Sequence, residues 1–436
     1  MKPFLYGALL VLVACASPPP KSGPPALLQS VPLAEAGQGS VWPASEWWRD
    51  FHDPVLDTLI TRALAQGPDL AAAAARFDAA RAGVSAARAA AGLQTGLTGA
   101  ASRNRLSDTG LIPPAFLGYN WYNQFDLGLE ASYTFDWWGR NRASVAAASS
   151  EALAAAADRD AAALTLATST AELYYGWQSD SAQHELAEQE VKAAEQRLRI
   201  ASARTAALID RDDERQRVEL EVLEARDHRD ELDSSAQLRL IALAALLGCG
   251  PADLPVLTVQ PLPELHTALP ADASLDLIAR RPDIVAARAR VEAAAQQVEV
   301  ARADFLPDVS LSALLGVSSQ DVGKLFEIGS RVPQIKAAVH LPLFSSGSLH
   351  ATYARNQASL AENAATYRST LYTAARQVNT ELAARQRSIA QAQVRSEQLL
   401  AAQALRVSAA QRNAQGVEDA RGELAATQRW LNLSEA

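Results

Sequence analysis

Cysteine and aromatic residues are scarce in this sequence. The 436 residues include two cysteines, and aromatic residues account for 6% of the chain. Cys15 lies near the N-terminus, in a segment that indicates processing, so Cys249 is left without a partner for a disulfide within the chain. Stability must therefore come from packing or from oligomerisation.

Bulky apolar side chains are also few, although hydrophobic residues make up 49% of the chain. Much of that share is alanine, as in residues 71–92. Alanine favours helix but buries little surface, so such helices are stable mainly by packing closely on their neighbours.

Basic clusters and catalytic motifs are missing as well. The formal net charge is −9 and no basic block occurs, which argues against nucleic acid as a partner. The six histidines are scattered without a His-x-x-x-His pair, which argues against a metal site. We therefore expect neither enzymatic activity nor a cofactor, apart from a covalent lipid at Cys15.

A transmembrane helix is not expected, because no run of eighteen uncharged apolar residues follows residue 14. Residues 1–14 have the outline of a secretory signal. Leu12-Val13-Ala14-Cys15 resembles a bacterial lipobox, in which Cys15 carries the lipid and becomes the mature N-terminus, whereas ordinary cleavage after Ala16 is the alternative. Residues 15–45 begin with a Pro-rich stretch that is typical of a flexible tether.

The chain contains an internal repeat. Pro68 matches Pro282 and Arg88 matches Arg302, in each case 214 positions later and without a gap. A constant offset over that distance indicates a duplicated architecture. Each copy has the order helix, β-hairpin, long α-hairpin, which gives a first repeat at 46–250, a Pro-rich linker at 251–270 and a second repeat at 271–436.

Apolar and polar residues alternate strictly in the predicted hairpins. The alternation from Phe125 to Phe135 predicts a strand with one apolar and one polar face, and a weaker alternation over residues 93–102 precedes it. In the second repeat the apolar faces comprise Val309, Leu311, Ala313, Leu315 and Val317 in one strand, and Ile335, Ala337, Val339, Leu341 and Leu343 in the other.

A helix of unusual length is predicted after each hairpin. The first extends from about Ala143 to about Thr205, and a second helix, from Ser45 to about Gly92, precedes the first hairpin. The last return helix, at 416–436, has about half the length of the corresponding stretch at 207–248. Spacings of three and four residues indicate a coiled-coil seam near the end of the first long helix, formed by Val191, Ala194, Leu198, Ala201, Thr205 and Leu208.

Four such strands cannot close a barrel by themselves. An unpaired strand edge in hydrocarbon costs several kcal/mol per group, so closure needs other copies of the chain. Three copies give twelve strands, an even number in the range of outer-membrane barrels, and four copies would also close. Helices this long cannot lie inside a membrane, so we expect them to project from it as a tube.

Several motifs carry a resemblance to a known family. They are WWRDFHDPVLDTLI (Trp47–Ile60), FDWWGRNR, RRPDIVAARARVEAAAQQVEVARADFLPDVSLS, LPLFSSG and LLGCGP. With them the mature chain resembles the TolC-like outer membrane factors, in the NodT-type lipoprotein branch that serves multidrug exporters. The resemblance implies an α+β fold in which a homotrimer builds a twelve-stranded β-barrel, continuous with a periplasmic α-helical barrel. It also implies a lipid-anchored channel in the outer membrane that receives substrates from a periplasmic membrane-fusion adaptor and an inner-membrane transporter.

The resemblance implies sites at the tips of the helical hairpins. The family carries glycine at the tip, which Gly416 matches, whereas Ala207 stands at that place in the first hairpin. We therefore expect the second hairpin to be the more mobile one, because glycine permits the turn that alanine constrains. The adaptor-docking tips would be Ala207, Leu208, Ile209 and Asp210, with Gly416, Val417, Glu418 and Asp419, and the periplasmic gate would use Asp419, Glu423, Val417 and Leu424.

Other residues are candidates for the membrane part. Asp126, Glu130 and Asp136 would line the barrel lumen, although a solvated strand face would explain them equally. Trp137 and Trp138 would lie at the membrane boundary or pack against the start of the helix. The competing function is a structural periplasmic coiled-coil lipoprotein without a pore, which explains the long helices and the lipid but not four amphipathic strands.

Overall fold

The computed structural model describes residues 19–20, 27, 44–109, 114–261, 280–342 and 346–435. Cys15, residues 1–14 and most of the tether therefore lie outside the described residues, as do 262–279 in the linker and the start of the second repeat. Within the described ranges, no helix is both long enough and apolar enough to cross a membrane.

The chain divides into two compact units, and neither unit is one of the sequence repeats. The first comprises Met1–Leu28, Ala75–Asp158 and Arg281–Thr370, and the second comprises Gln29–Ala74, Arg159–Arg280 and Leu371–Ala436. Each unit takes residues from both repeats, so 46–250 and 271–436 repeat an order of elements without folding as separate bodies.

The first unit contains a four-stranded antiparallel sheet. Its strands are β1 (Gln94–Arg105), β2 (Trp121–Phe135), β3 (Asp308–Ser319) and β4 (Arg331–His340), in the order β1-β2-β3-β4. This confirms the four predicted strands. Leu341 was predicted to extend β4, but the strand ends at His340, and Leu343 lies outside the described residues.

The register brings the predicted apolar faces together. Leu129 of β2 pairs with Leu97 of β1 and with Leu315 of β3, and Ala313 pairs with Ile335 of β4. Because successive residues of a strand point to opposite faces, these pairs lie on one continuous apolar face. The opposite face carries Glu130, which pairs with Gly96 and Leu314.

The predicted N-terminal helix is broken into three pieces. A short 3₁₀ turn at Trp47–Phe51 is followed by α1 (Pro54–Gln66) and α2 (Pro68–Ala90). The prediction of one helix from Ser45 to Gly92 was wrong because Asp53 caps α1, accepting hydrogen bonds from the backbone N–H groups of Val55 and Leu56. The second break, at Gly67, precedes Pro68, and a Cβ at Gly67 would lie 2.6 Å from the carbonyl oxygen of Ala63.

The core of the second unit surrounds α1. Leu56, Leu59 and Ile60 belong to one buried cluster with Leu166 and Tyr174 from the middle of a long helix, α3 (Arg140–Ala206). Such side chains bury the most surface in an otherwise alanine-rich chain. They account for a core that the composition alone did not suggest.

Two helical hairpins complete the chain. The first consists of α3 and α4 (Asp212–Leu246), and the second consists of α6 (Ser346–Ala414) and α7 (Ala420–Glu435). The helix α5 (Pro282–Ala303) lies between them in sequence, before β3. At 67 residues, α3 is about 100 Å long at 1.5 Å per residue.

The predicted coiled-coil seam is confirmed over most of its length. Val191 and Ala194 of α3 form a buried cluster with Val222 and Ala225 of α4, and Leu198 packs against it. Ala201 is also buried, but Leu208 is 93% exposed because α3 ends at Ala206. Leu208 therefore belongs to the turn and not to the seam.

Candidate functional site: the hairpin tips and the two sheet faces

The first hairpin tip is closed by backbone hydrogen bonds to one carbonyl and by an ion pair. The N–H groups of Ile209 and Asp210 both donate to the carbonyl oxygen of Arg204, at 2.9 and 3.4 Å. The Arg204 guanidinium then donates to the Asp210 carboxylate, from Nε to Oδ2 at 2.5 Å and from Nη2 to Oδ1 at 3.0 Å. This bidentate geometry holds both ends of the turn together.

The second tip has the same construction. The N–H groups of Val417 and Glu418 donate to the carbonyl oxygen of Arg412, at 3.0 and 3.3 Å. The Arg412 guanidinium donates from Nε to Glu418 Oε2 at 2.6 Å. The two tips are thus structural equivalents related by 208 positions, because Arg204 corresponds to Arg412 and Asp210 to Glu418.

This equivalence corrects the predicted alignment of the tips by one residue. Leu208, and not Ala207, takes the place of Gly416, and both have a positive φ, 58° at Leu208 and 70° at Gly416. Ala207 is instead the last residue before the turn, with its N–H donating to the carbonyl oxygen of Ala203 at 3.0 Å. The first tip therefore places a leucine in a conformation that glycine adopts more readily.

Exposed apolar side chains project from both tips. Leu208 is 93% exposed, Val417 is 74% exposed and Ile209 is 63% exposed. Isolated exposed apolar residues are common, but here they occur at equivalent turns of both hairpins. These side chains form the apolar part of each tip surface.

Two of the predicted gate residues, Asp419 and Glu423, form hydrogen bonds within the chain. Asp419 accepts from Arg421 Nε at 2.9 Å and from the Arg421 N–H at 3.0 Å, and Glu423 accepts from Asn413 Nδ2 at 2.6 Å. Leu424 is only 8% exposed, so its side chain packs within the chain, and its role at the gate stays a prediction. In the described part of the chain, no three acidic, histidine or cysteine side chains converge to hold a metal ion.

Charge also connects the two tips. The hydrogen bond from Arg204 holds the pKa of Asp210 below its usual value, and the positive charge of Arg421 from the second tip adds to the effect. In the same way the hydrogen bond from Arg421 lowers the pKa of Asp419, with a smaller contribution from the charge of Arg204. Each acid is therefore stabilised in its ionised form by an arginine of its own tip and by one of the other tip.

The polar face of the sheet carries two of the three predicted lumen residues. Asp126 and Gln124 are linked on β2, where Gln124 Nε2 donates to Asp126 Oδ1 at 3.0 Å, and Glu130 lies four residues further along the same face. Thr98 of β1 donates to Glu130 Oε1 at 3.3 Å. Leu314 of β3 shares this face, so the face is not uniformly polar.

Asp136 was predicted as part of the strand but lies just after it, and its place in the lumen stays a prediction. It follows the last residue of β2 and accepts hydrogen bonds from the N–H groups of Asn141 and Arg142, at 2.9 and 3.0 Å. Burial raises the pKa of Asp136, but these two N–H groups and the Arg142 guanidinium outweigh it, so the pKa lies below its usual value. Asp136 therefore caps the start of α3.

Four aromatic side chains mark the end of the sheet that joins the helices. Tyr133 and Phe135 meet edge to face with centroids 5.2 Å apart, and Phe135 stacks on Trp137 at 5.8 Å. Trp138 donates from Nε1 to the carbonyl oxygen of Pro307 at 2.9 Å. Trp138 therefore fixes the two chain segments, whereas Trp137 is 63% exposed and its place at the membrane boundary stays a prediction.

Sequence reasoning missed the arginines that close the tips. Arg204 and Asp210 are six residues apart, as are Arg412 and Glu418. The pair with this spacing lies at the end of the long helix in each repeat. It is the signal from which the tip pairing could have been inferred, and it would also have placed Leu208 opposite Gly416.

Comparisons with known proteins agree with this architecture. The family model described as outer membrane efflux protein matches residues 59–249 and 274–435. The multidrug resistance outer membrane protein MdtP of Escherichia coli K12 is 32% identical over 332 residues, which cover 74% of this chain and 67% of that protein.

Solved structures show the same fold. The outer membrane protein VceC of Vibrio cholerae is 30% identical, with a TM-score of 0.78 over 90% of this chain and 96% of that one. The Campylobacter jejuni CmeC outer membrane channel gives a TM-score of 0.85 at 23% identity, over 96% of this chain and 90% of that one, and supports the fold alone. With the family model matched along both repeats, this protein of the outer membrane belongs to the outer membrane efflux protein family.

Proposed function

We propose that three copies of this chain form a passive channel in the outer membrane, which carries substrates of a tripartite efflux system to the outside. The observation that carries the proposal is the single four-stranded sheet with one continuous apolar face, joined at one end to helices of 67 and 69 residues. Strands suit the membrane, and helices of that length suit a conduit beyond it.

The two outer strands favour closure by other copies. In the described sheet, β1 pairs only with β2 and β4 pairs only with β3, so each has one row of backbone groups without a strand partner. In hydrocarbon such groups cost several kcal/mol each unless they are paired. Three sheets joined edge to edge supply twelve strands, in which Glu130 and Asp126 would face the lumen.

The tips are the proposed contact with a periplasmic membrane-fusion adaptor. Leu208, Ile209 and Val417 offer exposed apolar side chains, and the salt bridges behind them, Arg204–Asp210 and Arg412–Glu418, hold the turns in shape. An inner-membrane transporter would deliver the substrates to the adaptor. Because the relative MdtP is named for multidrug resistance, we assign multidrug export as the process served.

Opening of the channel is assigned to movement of the tips. Opposite charges of the two tips attract, as Arg204 and Asp419 do, whereas like charges such as Arg204 and Arg421 repel, and this balance sets the preferred arrangement of the hairpins. Adaptor binding would open the conduit by stabilising another arrangement of the hairpins. This requires the adaptor to bind the open arrangement more tightly than the closed one.

We also assign a lipid to Cys15. A single acyl chain gives only reversible membrane binding, so stable anchoring requires about two. Mass spectrometry of the mature N-terminus tests this assignment, with an acylated Cys15 expected. An unmodified terminus at Ser17 would refute it.

Single-channel recording in a planar bilayer tests the proposed function. The purified full-length protein should give discrete conductance steps, and a heat-dissociated sample of the same preparation should give none. A detergent-extracted oligomer without conductance would instead support a structural coiled-coil lipoprotein that has no pore.

A further inference from the structure

Among the described residues of the N-terminal segment, Pro19 and Pro20 accept hydrogen bonds from distant residues of the first unit. Arg302 Nε donates to the carbonyl oxygen of Pro19 at 3.0 Å, and the Tyr353 hydroxyl donates to the carbonyl oxygen of Pro20 at 3.5 Å. The partners are 283 and 333 residues apart in sequence. This contact plays no part in the channel or the tips described above.

The contact suits the chemistry of a proline-rich segment. Pro19 and Pro20 follow Pro18 in sequence, and proline has no N–H to donate. Such a segment can be held through its backbone only by donors that reach its carbonyl oxygens. Arg302 and Tyr353 are two such donors, and the fixed φ of proline lowers the entropy lost on docking.

Both donors are themselves held in position. Tyr353 is 7% exposed, packs edge to face against the buried Phe305 at 6.4 Å, and accepts a hydrogen bond from Gln357 Nε2 at 3.0 Å. Arg302 pairs with Glu299 at 3.4 Å, and its side chain is 28% exposed. The donors are therefore ordered before the segment arrives.

The first repeat lacks this arrangement although its sequence matches. Arg88 occupies the position of Arg302, in the last turn of α2 as Arg302 is in the last turn of α5, and it is exposed. By the offset of 208 positions that relates the two tips, the position equivalent to Tyr353 is Val145, which has no hydroxyl. The second repeat alone combines both donors.

We infer that Arg302 and Tyr353 form a seat for the N-terminal arm, which sets the point from which the chain extends to its lipid anchor. Arg302 lies six residues before β3 begins, at the end of the sheet that joins the helices. Cys15 is four residues from Pro19, so it can reach at most about 14 Å from the seat. The seat thus keeps the lipid beside the membrane boundary, and in this respect it rests on the acylation proposed above.

Proteolysis after Lys21 tests the seat. Trypsin must bind the residues before the cleaved bond in extended form, including Pro19 and Pro20, so it cleaves only chains that have left the seat. In the purified full-length protein we expect Arg302→Ala to raise the initial rate of this cleavage about tenfold, because it removes a hydrogen bond from a charged donor. Tyr353→Phe removes a hydrogen bond from a neutral donor and should raise the rate about two- to threefold.

Arg88→Ala is the matched control and should leave the rate unchanged. Cleavage after Arg211, in the exposed first tip, serves as an internal standard and should be equal in all variants. Cleavage after Lys21 at the same rate in Arg302→Ala and Arg88→Ala would overturn the seat. An N-terminal peptide that begins at Ser17 would refute the lipid anchor of the proposed function. Because the mass spectrum identifies this peptide in the same digest, failure of the lipid anchor can be distinguished from failure of the seat.

Discussion

Single residues distinguish the two hairpin tips, which otherwise share one construction. Leu208 has a φ of 58° where Gly416 has a φ of 70°. A left-handed conformation costs a non-glycine residue about 1–2 kcal/mol. Glycine avoids this cost but loses more conformational entropy on folding, which offsets part of the difference. We therefore expect the first tip to be the more strained one, and the greater mobility of the second hairpin stays a prediction.

A reciprocal exchange tests this strain. Gly416→Leu should destabilise the second turn by about 1 kcal/mol, whereas Leu208→Gly should leave the first turn equally stable or slightly stabilise it. Hydrogen exchange of the Val417 and Ile209 amides measures the change, with an increase of about fivefold expected at Val417. Equal protection of Val417 before and after Gly416→Leu would show that the positive φ carries no strain.

The ion pair at the first tip predicts how the tip responds to pH. The Arg204 hydrogen bond lowers the pKa of Asp210, so the ionised pair stabilises the tip above the usual aspartate value of about 3.9 and is lost only as the pH falls below it. After correction for intrinsic rates, exchange at Ile209 should be constant from pH 8 to pH 5.

Asp210→Asn should raise the exchange rate at Ile209 throughout that range, because a neutral amide forms a weaker bond with the guanidinium. Asp213→Asn is the control, since Asp213 is an exposed acid 3.6 Å from Arg211. Loosening of the unaltered tip between pH 7 and pH 5 would mean that another group holds it.

At the scale of elements, the seam between α3 and α4 is the main apolar contact near the first tip. Val222 is 3% exposed and packs with Val191 and Ala194. Val222→Ala should cost about 2 kcal/mol, from lost burial and the cavity left behind. Glu224→Ala, on the exposed side of α4, should change stability by less than about 0.5 kcal/mol.

Denaturant unfolding followed by circular dichroism measures both variants. Equal effects of Val222→Ala and Glu224→Ala would contradict the register of the helical hairpin.

The sheet offers two adjacent residues that test its faces. Leu129 is 51% exposed on the apolar face, and Glu130 lies on the opposite face. Near the middle of a bilayer, Leu129→Arg should cost about 2–4 kcal/mol and reduce the detergent-stable oligomer seen on gels. Glu130→Gln should leave the oligomer intact and change its conductance. Loss of assembly in Glu130→Gln alone would mean that the faces are inverted.

Elements with a strong local signal could be predicted from sequence. The period of two at Phe125–Phe135 survives in β2 because each face has one environment. The break at Gly67 escaped prediction because alanine-rich flanks mask it, and the need for glycine there comes from close contacts with the Ala63 carbonyl oxygen and with Leu166. Glycine also misled the alignment of the tips, because Leu208 adopts a conformation that its side chain disfavours.

For the whole molecule, the duplication was visible in the sequence and the compact units were not. The offset of 214 positions holds from α2 and α5 to the starts of β1 and β3, then falls to 208 at the ends of the long helices because the second β-hairpin is shorter. Pairing of β2 with β3 joins the two repeats in one sheet. The seat for Pro19 could not be inferred from sequence, since its partners are 283 residues apart.

The strand order also has a consequence for the path of folding. Val309 pairs with Phe135 across more than 170 residues, whereas Arg105 pairs with Trp121 across a short loop. Closing the longer loop costs about 2 kcal/mol more in chain entropy, unless α3 and α4 have already zipped together and shortened it. We therefore expect the two β-hairpins and the α3–α4 pair to form early, and the β2–β3 junction to form last. Pulse-labelled hydrogen exchange during refolding would reveal this order, and protection at the junction before protection in α3 and α4 would contradict it.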